Sequence, residues 1–397
     1  MYELGLAALS LLIWVYLLGL RGQFWRTDQQ LQEDSMNGHN PKAETADFAS
    51  SVCVVIPARD EADLISVTVR SLLTQRYPGS LNVFLVDDHS TDGTAEAARA
   101  TAKALGKLDQ LHVIAAAPLP SGWTGKLWAL EQGIEQAMAL KPDYILLTDA
   151  DIEHDPTNVS KLVAKAVNDD RELVSLMVRL RCESFWEKLL IPAFVFFFAK
   201  LYPFRWSNDP NSAIAAAAGG CSLIRREALV RIGGVEAIRH ALIDDCALAH
   251  EIKSSGSRRI WLGLTSATKS LRPYDSLNTI WSMVVRTAYT QLNYSPWLLL
   301  GAVSGMTLVY LVPIISIIVG VIDSNITLVL VGMLNYALMT VSYLPIIRFY
   351  GCSIGFGFCL PAIAVLYTLM TIDSAVKHWQ GNGGAWKGRV YETPGGY

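Results

Sequence analysis

The sequence predicts an α/β protein with a mostly parallel sheet, joined to several transmembrane helices. Between residues 51 and 178, short apolar strands alternate with helix-length segments, as in a parallel sheet covered by helices on both faces. Two stretches, near residues 4–20 and 297–376, carry almost no charge. The composition, 51% hydrophobic and only 17% charged, also favours a membrane protein. The net charge of −3 leaves no electrostatic footprint for nucleic acid, so we expect no such partner.

The amino-terminal apolar run, from Leu4 to Leu20, is just long enough to span a bilayer. A secretory signal peptide is the alternative, but Arg21 and Arg26 follow the run rather than precede it, and no A-x-A-like site follows. We therefore expect an uncleaved anchor whose carboxyl end lies in the cytoplasm, by the positive-inside rule. The polar, aperiodic residues after it predict a linker as far as residue 50.

Five continuous apolar runs then predict the strands, and helix-length segments separate them. The predicted strands are 52–56, 81–86, 111–115, 144–147 and 173–178, and the predicted helices are 61–75, 92–106, 125–140 and 157–168. In such sheets ligands bind outside the carboxyl ends of the strands. Three polar clusters follow strands here, so we expect them at one edge: residues 57–61, 87–90 and 149–151.

The third cluster, Asp149-Ala150-Asp151, places two carboxylates at a spacing of two residues. Neighbouring carboxylates repel each other, and a divalent cation removes that repulsion while also binding phosphate oxygens. When the motif stands alone, an ordinary acidic turn is the favoured explanation. The convergence of three clusters on one edge favours a site for a nucleotide diphosphate.

The first two clusters are candidates for holding the nucleoside. Arg59 and Glu61 begin a loop into a helix, where Glu61 is also favourable as a first-turn acid. Asp87 and Asp88 lie just past the second predicted strand. A carboxylate at the position of Asp88 can accept hydrogen bonds from a ribose or a base, as acidic residues do in other nucleotide-binding α/β folds.

Three later motifs add a phosphate-binding cation and a candidate base. Lys126 follows Gly125 at the start of a helix and is either a phosphate contact or simply an exposed lysine; the spacing is not that of a P-loop. Gly219-Gly220 predicts a tight turn before a short strand. Asp244-Asp245 begins another helix, where the pair either caps the helix or supplies a general base.

The carboxyl-terminal apolar region divides into three segments, about 297–322, 326–347 and 354–376. Each is long and nearly uncharged, which favours membrane spans over buried core helices. A shorter stretch, 189–199, contains Pro192 and predicts an interfacial or re-entrant segment, with a soluble core helix as the alternative. One anchor plus three spans would place the tail outside, whereas its basic residues favour the cytoplasm. A re-entrant segment bent at Pro313 or Pro361 would remove this conflict.

Taken together, these motifs resemble the inverting GT-A glycosyltransferases of family two. The matching strings are VVIPARDE (54–61), VDDHSTDGT (86–94), TDAD (148–151), GGCSLIRREAL (219–229) and IDDCALA (243–249). Within that family the chain is most similar to the hopene-associated membrane glycosyltransferases, through GWTGKLWAL (122–130), FWEKLLIPAFVFFFAKLYPF (185–204) and RTAYTQL (286–292). This resemblance covers nearly the whole chain; ceramide glucosyltransferases are similar more loosely.

The resemblance implies roles for matching positions and a division of the chain. The residues implied to bind the nucleotide sugar are Pro57, Ala58, Arg59, Glu61, Asp87, Asp88, Lys126 and Asp149. The implied ligands of Mg²⁺ or Mn²⁺ are Asp149 and Asp151, and the implied acceptor side contains Gly219, Gly220 and Asp244. The implied catalytic residues are Asp245, as the base, and Arg286, as a contact for the leaving diphosphate. The implied domains are an anchor (1–22), a linker (23–50), a GT-A domain (51–292) containing an interfacial segment (185–204), two to three membrane helices (293–376) and a tail (377–397). Thr287 stands where processive members have tryptophan, which favours transfer of a single sugar.

The expected function is thus inverting transfer of one sugar from a nucleotide-diphosphate sugar, UDP-linked, to a hydroxyl of a hopanoid or related isoprenoid lipid. The expected partners are the donor, the lipid acceptor, membrane lipids and other lipid-biosynthesis enzymes. The expected location is the bacterial cytoplasmic membrane, multi-pass, with the catalytic domain in the cytoplasm. The alternatives are a polyprenyl-phosphate or ceramide-type glycosyltransferase and a non-catalytic membrane scaffold or transporter, the last of which predicts functional polar residues inside the spans.

Overall fold

A computed structural model describes residues 2–31, 49–256 and 258–381, and the backbone of residues 385–386 and 389–390. Most of the predicted linker and most of the predicted tail lie outside the described residues. The chain forms two compact units, here called the sheet unit (Gln29–Arg181 and Trp206–Arg272) and the helical unit (Met1–Asp28, Cys182–Arg205 and Pro273–Tyr397).

The strands alternate with helices as the sequence predicts. The strands are β1 (Val52–Ala58), β2 (Leu81–Asp87), β3 (Leu111–Ala115), β4 (Tyr144–Thr148), β5 (Ile152–Glu153), β6 (Leu173–Arg179), β7 (Cys221–Arg225), β8 (Ile260–Ser270), β9 (Ala385–Trp386) and β10 (Arg389–Val390). The helices are α1 (Tyr2–Leu20), α2 (Ala62–Leu73), α3 (Thr94–Ala104), α4 (Gly125–Met138), α5 (Asn158–Asn168), α6 (Phe185–Leu201), α7 (Phe204–Asn208), α8 (Arg226–Arg231), α9 (Asp244–Ser254), α10 (Leu277–Val285), α11 (Pro296–Met306), α12 (Val312–Ile322), α13 (Ile326–Phe349) and α14 (Leu360–Trp379).

The sheet unit is built on an eight-stranded mixed sheet with the order β3-β2-β1-β4-β7-β6-β8-β5. Strands β3, β2, β1 and β4 pair in parallel, β7 is antiparallel to both β4 and β6, and β5 is antiparallel to β8. The predicted mostly parallel α/β sheet is confirmed. The sequence analysis did not predict β5 and β8, because β5 has only two residues and β8 interrupts its apolar run with Gly263 and polar residues.

Both faces of this sheet are buried, which explains why its strands lack hydrophobic alternation. In β1, Val52, Val54 and Ile56 pack with α2, α3 and α5, whereas Cys53 and Val55 pack with α4, α8 and α9. All seven β1 residues are buried. The two cores hold the carboxyl ends of β1 and β4 side by side, since residues 52–55 pair with residues 144–147.

The helical unit contains, among the described residues, four helical segments that are long and apolar enough to span a membrane: Tyr2–Leu20, Pro296–Ile322, Ile326–Phe349 and Ile354–Trp379. They coincide with the predicted anchor and with the three predicted carboxyl-terminal segments. Close helix packing occurs at Gly332, where an added Cβ would lie 2.9 Å from the Pro313 carbonyl oxygen. Trp14 and Asn335 donate hydrogen bonds to backbone carbonyls of other helices in this unit.

The predicted interfacial segment forms α6, which begins with a capping box between Ser184 and Glu187 and continues through Pro192. Its aromatic side chains pack within the helical unit: the Phe196 ring centroid lies 5.2 Å from that of Tyr343, and the Phe197 centroid 4.9 Å from that of Tyr367. Helix α6 is therefore packed against the apolar helices of its own unit. Its position relative to a membrane surface stays a prediction.

Candidate functional site

Strand β4 delivers the acidic pair to the edge of the sheet. All five of its residues are buried, and Asp149 to Asp151 follow directly. The Thr68 hydroxyl, from α2, donates a 2.8 Å hydrogen bond to the Ala150 carbonyl oxygen, which fixes the turn between the two carboxylates. The turn is therefore held from both β4 and α2.

A cleft of about 370 Å³, open to solvent, lies at this edge within the sheet unit. Its lining brings together six of the residues singled out from the sequence: Pro57, Lys126, Asp149, Gly219, Asp244 and Asp245. They come from β1, β4, the start of α4, the turn before β7 and the start of α9. Residues more than 180 positions apart in the chain thus share one concave surface.

Among the described residues that line the cleft, Lys126 has the only cationic side chain, and it lies between two carboxylates. Its Nζ is 3.0 Å from Asp149 Oδ1 and 3.1 Å from Asp244 Oδ2, and its side chain is only 22% exposed. Burial acts to lower the pKa of Lys126, but Asp149, Asp244 and Asp245 outweigh burial and raise the pKa above its ordinary value. The lysine is therefore a fixed positive charge rather than the exposed side chain that was its alternative.

Asp245 lies at the start of α9, opposite the β4 turn. Its Oδ2 accepts a 2.9 Å hydrogen bond from the Gly219 N–H, and its Oδ1 accepts a 2.7 Å bond from the Cys246 N–H. Burial, followed by the charge of Asp244, raises the pKa of Asp245 to about 6, although Lys126 and the two amides act in the opposite direction. An aspartate with this pKa is a stronger base than an ordinary one, and it is still ionised at neutral pH.

The two glycines before β7 serve different purposes. A Cβ on Gly219 would lie 3.2 Å from Lys126 Nζ and 3.7 Å from Asp245 Oδ2, so glycine leaves room for these charged groups. A Cβ on Gly220 would lie 2.8 Å from Val178 Cγ2, so this glycine permits packing against β6. The structure thus places Gly219 in the cleft and gives Gly220 a packing role.

The two carboxylates that follow β4, of which Asp149 lines the cleft, have the chemistry of ligands for a divalent cation shared with phosphate. Burial raises the pKa of Asp149, and the charges of Asp151 and Asp244 add to this effect while Lys126 opposes it. Among the described residues, no group of three or more His, Cys, Asp or Glu side chains is arranged to hold a metal by itself. A hard cation bound through one or two carboxylates plus substrate phosphates needs no such group, so Asp149 and Asp151 fit it.

Asp151 has a neighbour that the sequence analysis missed. Its Oδ2 is 3.0 Å from Arg272 Nε and accepts a 3.1 Å hydrogen bond from the Ser270 hydroxyl. Arg272 Nη2 is in turn 2.5 Å from Glu61 Oε1. Glu61, expected in the nucleoside pocket, is thus joined through one guanidinium to Asp151, the predicted metal ligand.

The nucleoside candidates form a separate cluster at the ends of β1 and β2. The Arg59 guanidinium donates a 2.8 Å hydrogen bond to the Asp88 carbonyl oxygen and lies 3.5 Å from Asp88 Oδ2. His89 Nδ1 is 3.1 Å from Asp88 Oδ1. Asp87 Oδ1 accepts from the Ser90 N–H, 3.1 Å away, and Ala58 is buried at the end of β1. Their roles toward a nucleoside stay predictions.

Arg286, the second predicted catalytic residue, belongs to the helical unit. It is exposed and directly follows α10. Its proposed contact with a leaving diphosphate also stays a prediction.

Sequence reasoning also missed a buried relay behind the acidic pair. The Thr148 hydroxyl donates to the Gly220 carbonyl oxygen at 2.8 Å, so it accepts from His154 Nε2 at 3.0 Å. Asn158 Nδ2 then donates to His154 Nδ1 at 3.0 Å. Burial lowers the pKa of His154 to about 3, which keeps the imidazole neutral. The relay links β4 to the turn at Gly219-Gly220. In the sequence, His154, three residues after Asp151, was the one residue that could have indicated it.

Comparisons with known proteins show what this chain is similar to. Residues 53–233, somewhat less than half of the chain, match the family model described as glycosyl transferase family 2. An uncharacterized protein from Methanocaldococcus jannaschii is 36% identical over 112 residues, which cover 28% of this chain and 40% of that protein. The chain therefore spans about two fifths of the length of this curated relative.

A solved structure, the mannosyltransferase PcManGT from Pyrobaculum calidifontis in complex with GDP-Man and Mn²⁺, is similar with a TM-score of 0.54 and 19% identity. The similarity covers 94% of this chain and 99% of the other. At this identity it shows the fold, and it extends beyond the residues that the family model matches. The chain thus has a GT-A fold, a Rossmann-like mixed sheet with mostly parallel strands, with several long apolar helices at its carboxyl-terminal end.

Proposed function

We propose that this protein is a membrane-bound, metal-dependent, inverting glycosyltransferase that moves one sugar from a nucleotide-diphosphate sugar to a hydroxyl of a lipid. The observation that carries the proposal is the cleft itself. Its lining holds Asp149, the first carboxylate of the acidic pair after β4, together with Asp245, whose pKa is raised, and the Lys126 ammonium, which lies 3.0 Å from Asp149 Oδ1.

The donor half of the reaction rests on charge. Asp149, Asp244 and Asp245 outnumber Lys126 in the cleft lining, so a bare diphosphate would be repelled and a divalent cation attracted. Asp149 and Asp151 would hold this cation, whose contribution would be to offset the negative charge that builds up on the leaving diphosphate. Lys126 would exchange one of its carboxylate partners for a phosphate oxygen and would also stabilise the negative charge that develops on the leaving diphosphate. UDP is the expected nucleotide.

The acceptor half rests on Asp245. Its carboxylate would accept the proton of the attacking hydroxyl, while the Gly219 and Cys246 amides hold the side chain in place. Even with a pKa of about 6, Asp245 cannot deprotonate an alcohol in advance, so proton transfer accompanies attack on the anomeric carbon. Direct attack from the face opposite the leaving diphosphate inverts the configuration.

The proposed acceptor is a lipid because the same chain carries four apolar helical segments of membrane-spanning length in its described part. The resemblance to hopene-associated enzymes makes a hopanoid or a related isoprenoid alcohol the first candidate. The proposed location is the bacterial cytoplasmic membrane, with the sheet unit on the cytoplasmic side. Cysteine accessibility on residues of the tail in intact cells tests this orientation.

A polyprenyl-phosphate acceptor is the second candidate within the same reaction class. A phosphate needs no general base, so Asp245→Asn would leave transfer largely intact. The raised pKa and the two amide contacts of Asp245 favour a hydroxyl acceptor instead.

The deciding experiment uses the purified full-length protein with radiolabelled UDP- and GDP-sugars, and with hopanoid, ceramide and polyprenyl-phosphate acceptors. We expect a glycolipid with inverted anomeric configuration, formed only with Mg²⁺ or Mn²⁺ and lost in Asp151→Ala and Asp245→Asn. Retained activity in Asp245→Asn selects the phosphate acceptor. If neither transfer nor hydrolysis of any sugar nucleotide occurs with either metal, the chain is a scaffold or transporter. Lipid mass spectrometry of cells with and without the protein identifies the natural product.

A further inference from the structure

Arg272 joins two nearly buried carboxylates at the metal-binding edge. Its Nε lies 3.0 Å from Asp151 Oδ2, and its Nη2 lies 2.5 Å from Glu61 Oε1. The side chains of Asp151 and Glu61 are only 9% and 8% exposed, whereas that of Arg272 is 31% exposed. The guanidinium therefore reaches from solvent to two nearly buried carboxylates and offsets their negative charge.

The backbone brings Arg272 to this place. Strands β5 and β8 pair antiparallel, with Ile152 opposite Ser270, so the residues after Ser270 return past the acidic turn. The Leu271 N–H donates a 2.8 Å hydrogen bond to the Asp151 carbonyl oxygen. This pairing fixes the main chain beside Asp151, so Arg272 starts within reach of the Asp151 carboxylate.

The same carboxylate is the expected metal ligand, which creates a competition. Oδ2 of Asp151 already receives the Arg272 guanidinium and the Ser270 hydroxyl. A divalent cation binding to Asp151 would lie within a few ångströms of the guanidinium, where two positive charges repel. Arg272 could leave Asp151 and remain attached to Glu61 through Nη2. Its freed Nε–H would then be available to a phosphate oxygen.

We propose that Arg272 is a positioning residue that neutralises Asp151 in the donor-free protein and changes partner to the donor diphosphate when the metal binds. This inference rests on the proposed function, because it requires a metal–diphosphate donor. The exchange makes the metal and the donor bind cooperatively. A metal that binds alone must displace the Arg272 guanidinium from Asp151, whereas a diphosphate that binds with the metal accepts a hydrogen bond from the displaced guanidinium. Sugar nucleotide and metal therefore enter together, and the metal alone binds weakly.

The test measures binding rather than turnover, on the full-length protein. Mn²⁺ affinity is measured by the electron paramagnetic resonance of free Mn²⁺, first with the metal alone and then with saturating UDP or GDP. In Arg272→Gln we expect Mn²⁺ alone to bind about fivefold or more tighter than in the wild type, and the nucleoside diphosphate to bind Mn²⁺-loaded protein about fivefold or more weaker. In Arg272→Lys, whose ammonium reaches only one carboxylate at a time, both affinities should lie between those of the wild type and those of Arg272→Gln.

In Arg272→Gln, Mn²⁺ affinity is expected to rise while nucleoside diphosphate affinity falls. A residue that only supported the fold would not change the two affinities in opposite directions. Arg231→Gln is the matched control, since Arg231 makes a two-pronged contact with Glu172, at 2.6 and 3.0 Å, in the same unit. It should leave both affinities unchanged. If Arg272→Gln binds Mn²⁺ alone equally or less tightly, the inference is wrong while the proposed function stands. If the wild type shows no nucleoside-diphosphate-dependent Mn²⁺ binding and Asp149→Asn changes nothing, the proposed function fails and this inference fails with it.

Discussion

The backbone N–H of Gly219 donates a 2.9 Å hydrogen bond to Oδ2 of Asp245. This bond joins the turn before β7 to the start of α9, and it places the candidate base opposite the acidic turn of β4. A Cβ at Gly219 would also approach the Lys126 ammonium to 3.2 Å. Gly219 therefore contacts Asp245, the candidate base, and leaves room for the Lys126 ammonium beside it.

The pH dependence of transfer should reveal Asp245 directly. Because the base must be deprotonated, we expect kcat/KM to fall as the pH falls through about 6, the raised pKa of Asp245, and to level off above it. An acidic limb near the ordinary aspartate value of about 4 would contradict this assignment. Asp245→Asn should lower kcat by about 100-fold or more and remove the limb. The measurement is a pH–rate profile at saturating metal.

Replacing Lys126 should change both donor binding and that pH profile. Hydrogen bonds to charged groups contribute about 1.5–3 kcal/mol, so Lys126→Gln should weaken nucleoside diphosphate binding by about 10- to 100-fold. Since Lys126 lowers the pKa of Asp245, its removal should also move the acidic limb to higher pH. Calorimetry and the pH–rate profile measure the two effects. Lys141→Gln, a change of an exposed lysine outside the cleft, should alter neither.

A methyl group at Gly219 should disturb the charged centre without disturbing the fold. In Gly219→Ala the Lys126 ammonium must move by a few tenths of an ångström, and the Asp245 carboxylate is 3.7 Å from the new atom. We expect kcat/KM to fall about 10-fold, since small misplacements of charged groups are costly in active sites, with an unchanged melting temperature. Gly305→Ala is the control, because a Cβ there meets nothing within 4 Å. Equal kinetics for both variants would refute the role of Gly219.

The buried relay should matter for stability and for its pH dependence. His154→Leu leaves the Thr148 hydroxyl and the Asn158 amide without their partner, at a cost of about 1–3 kcal/mol for each buried group. The folded pKa is about 3 and the unfolded value about 6.5, so the unfolded state binds more protons in this window. Wild-type stability should therefore fall as the pH falls from about 6.5, and less steeply in His154→Leu.

Thermal unfolding at several pH values measures both effects. The exposed His250 provides the control, since His250→Leu should leave the melting temperature and its pH dependence almost unchanged. Equal losses of stability in the two variants would show that the relay contributes nothing specific.

The predictability of this protein differs between its elements for a physical reason. Strand β4 and the helices beside it were visible because burial on both faces demands an uninterrupted apolar run. Strand β8 escaped prediction because it pairs at the outer part of the sheet and contains Gly263 and several hydroxyl residues. Arg272 comes two residues after the end of this strand, so without β8 the sequence did not indicate a guanidinium beside Asp151.

By itself, the sequence determined the alternation of strands and helices, the four apolar segments and the acidic pair that ends β4, because each is written in local patterns of burial and charge. Only the tertiary structure decided which cationic side chain pairs with which carboxylate. Lys126 lies between Asp149 and Asp244, and Arg272 bridges Asp151 and Glu61, through contacts between residues 23 to 211 positions apart in the chain. Such contacts depend on strand order and register, which local composition does not encode.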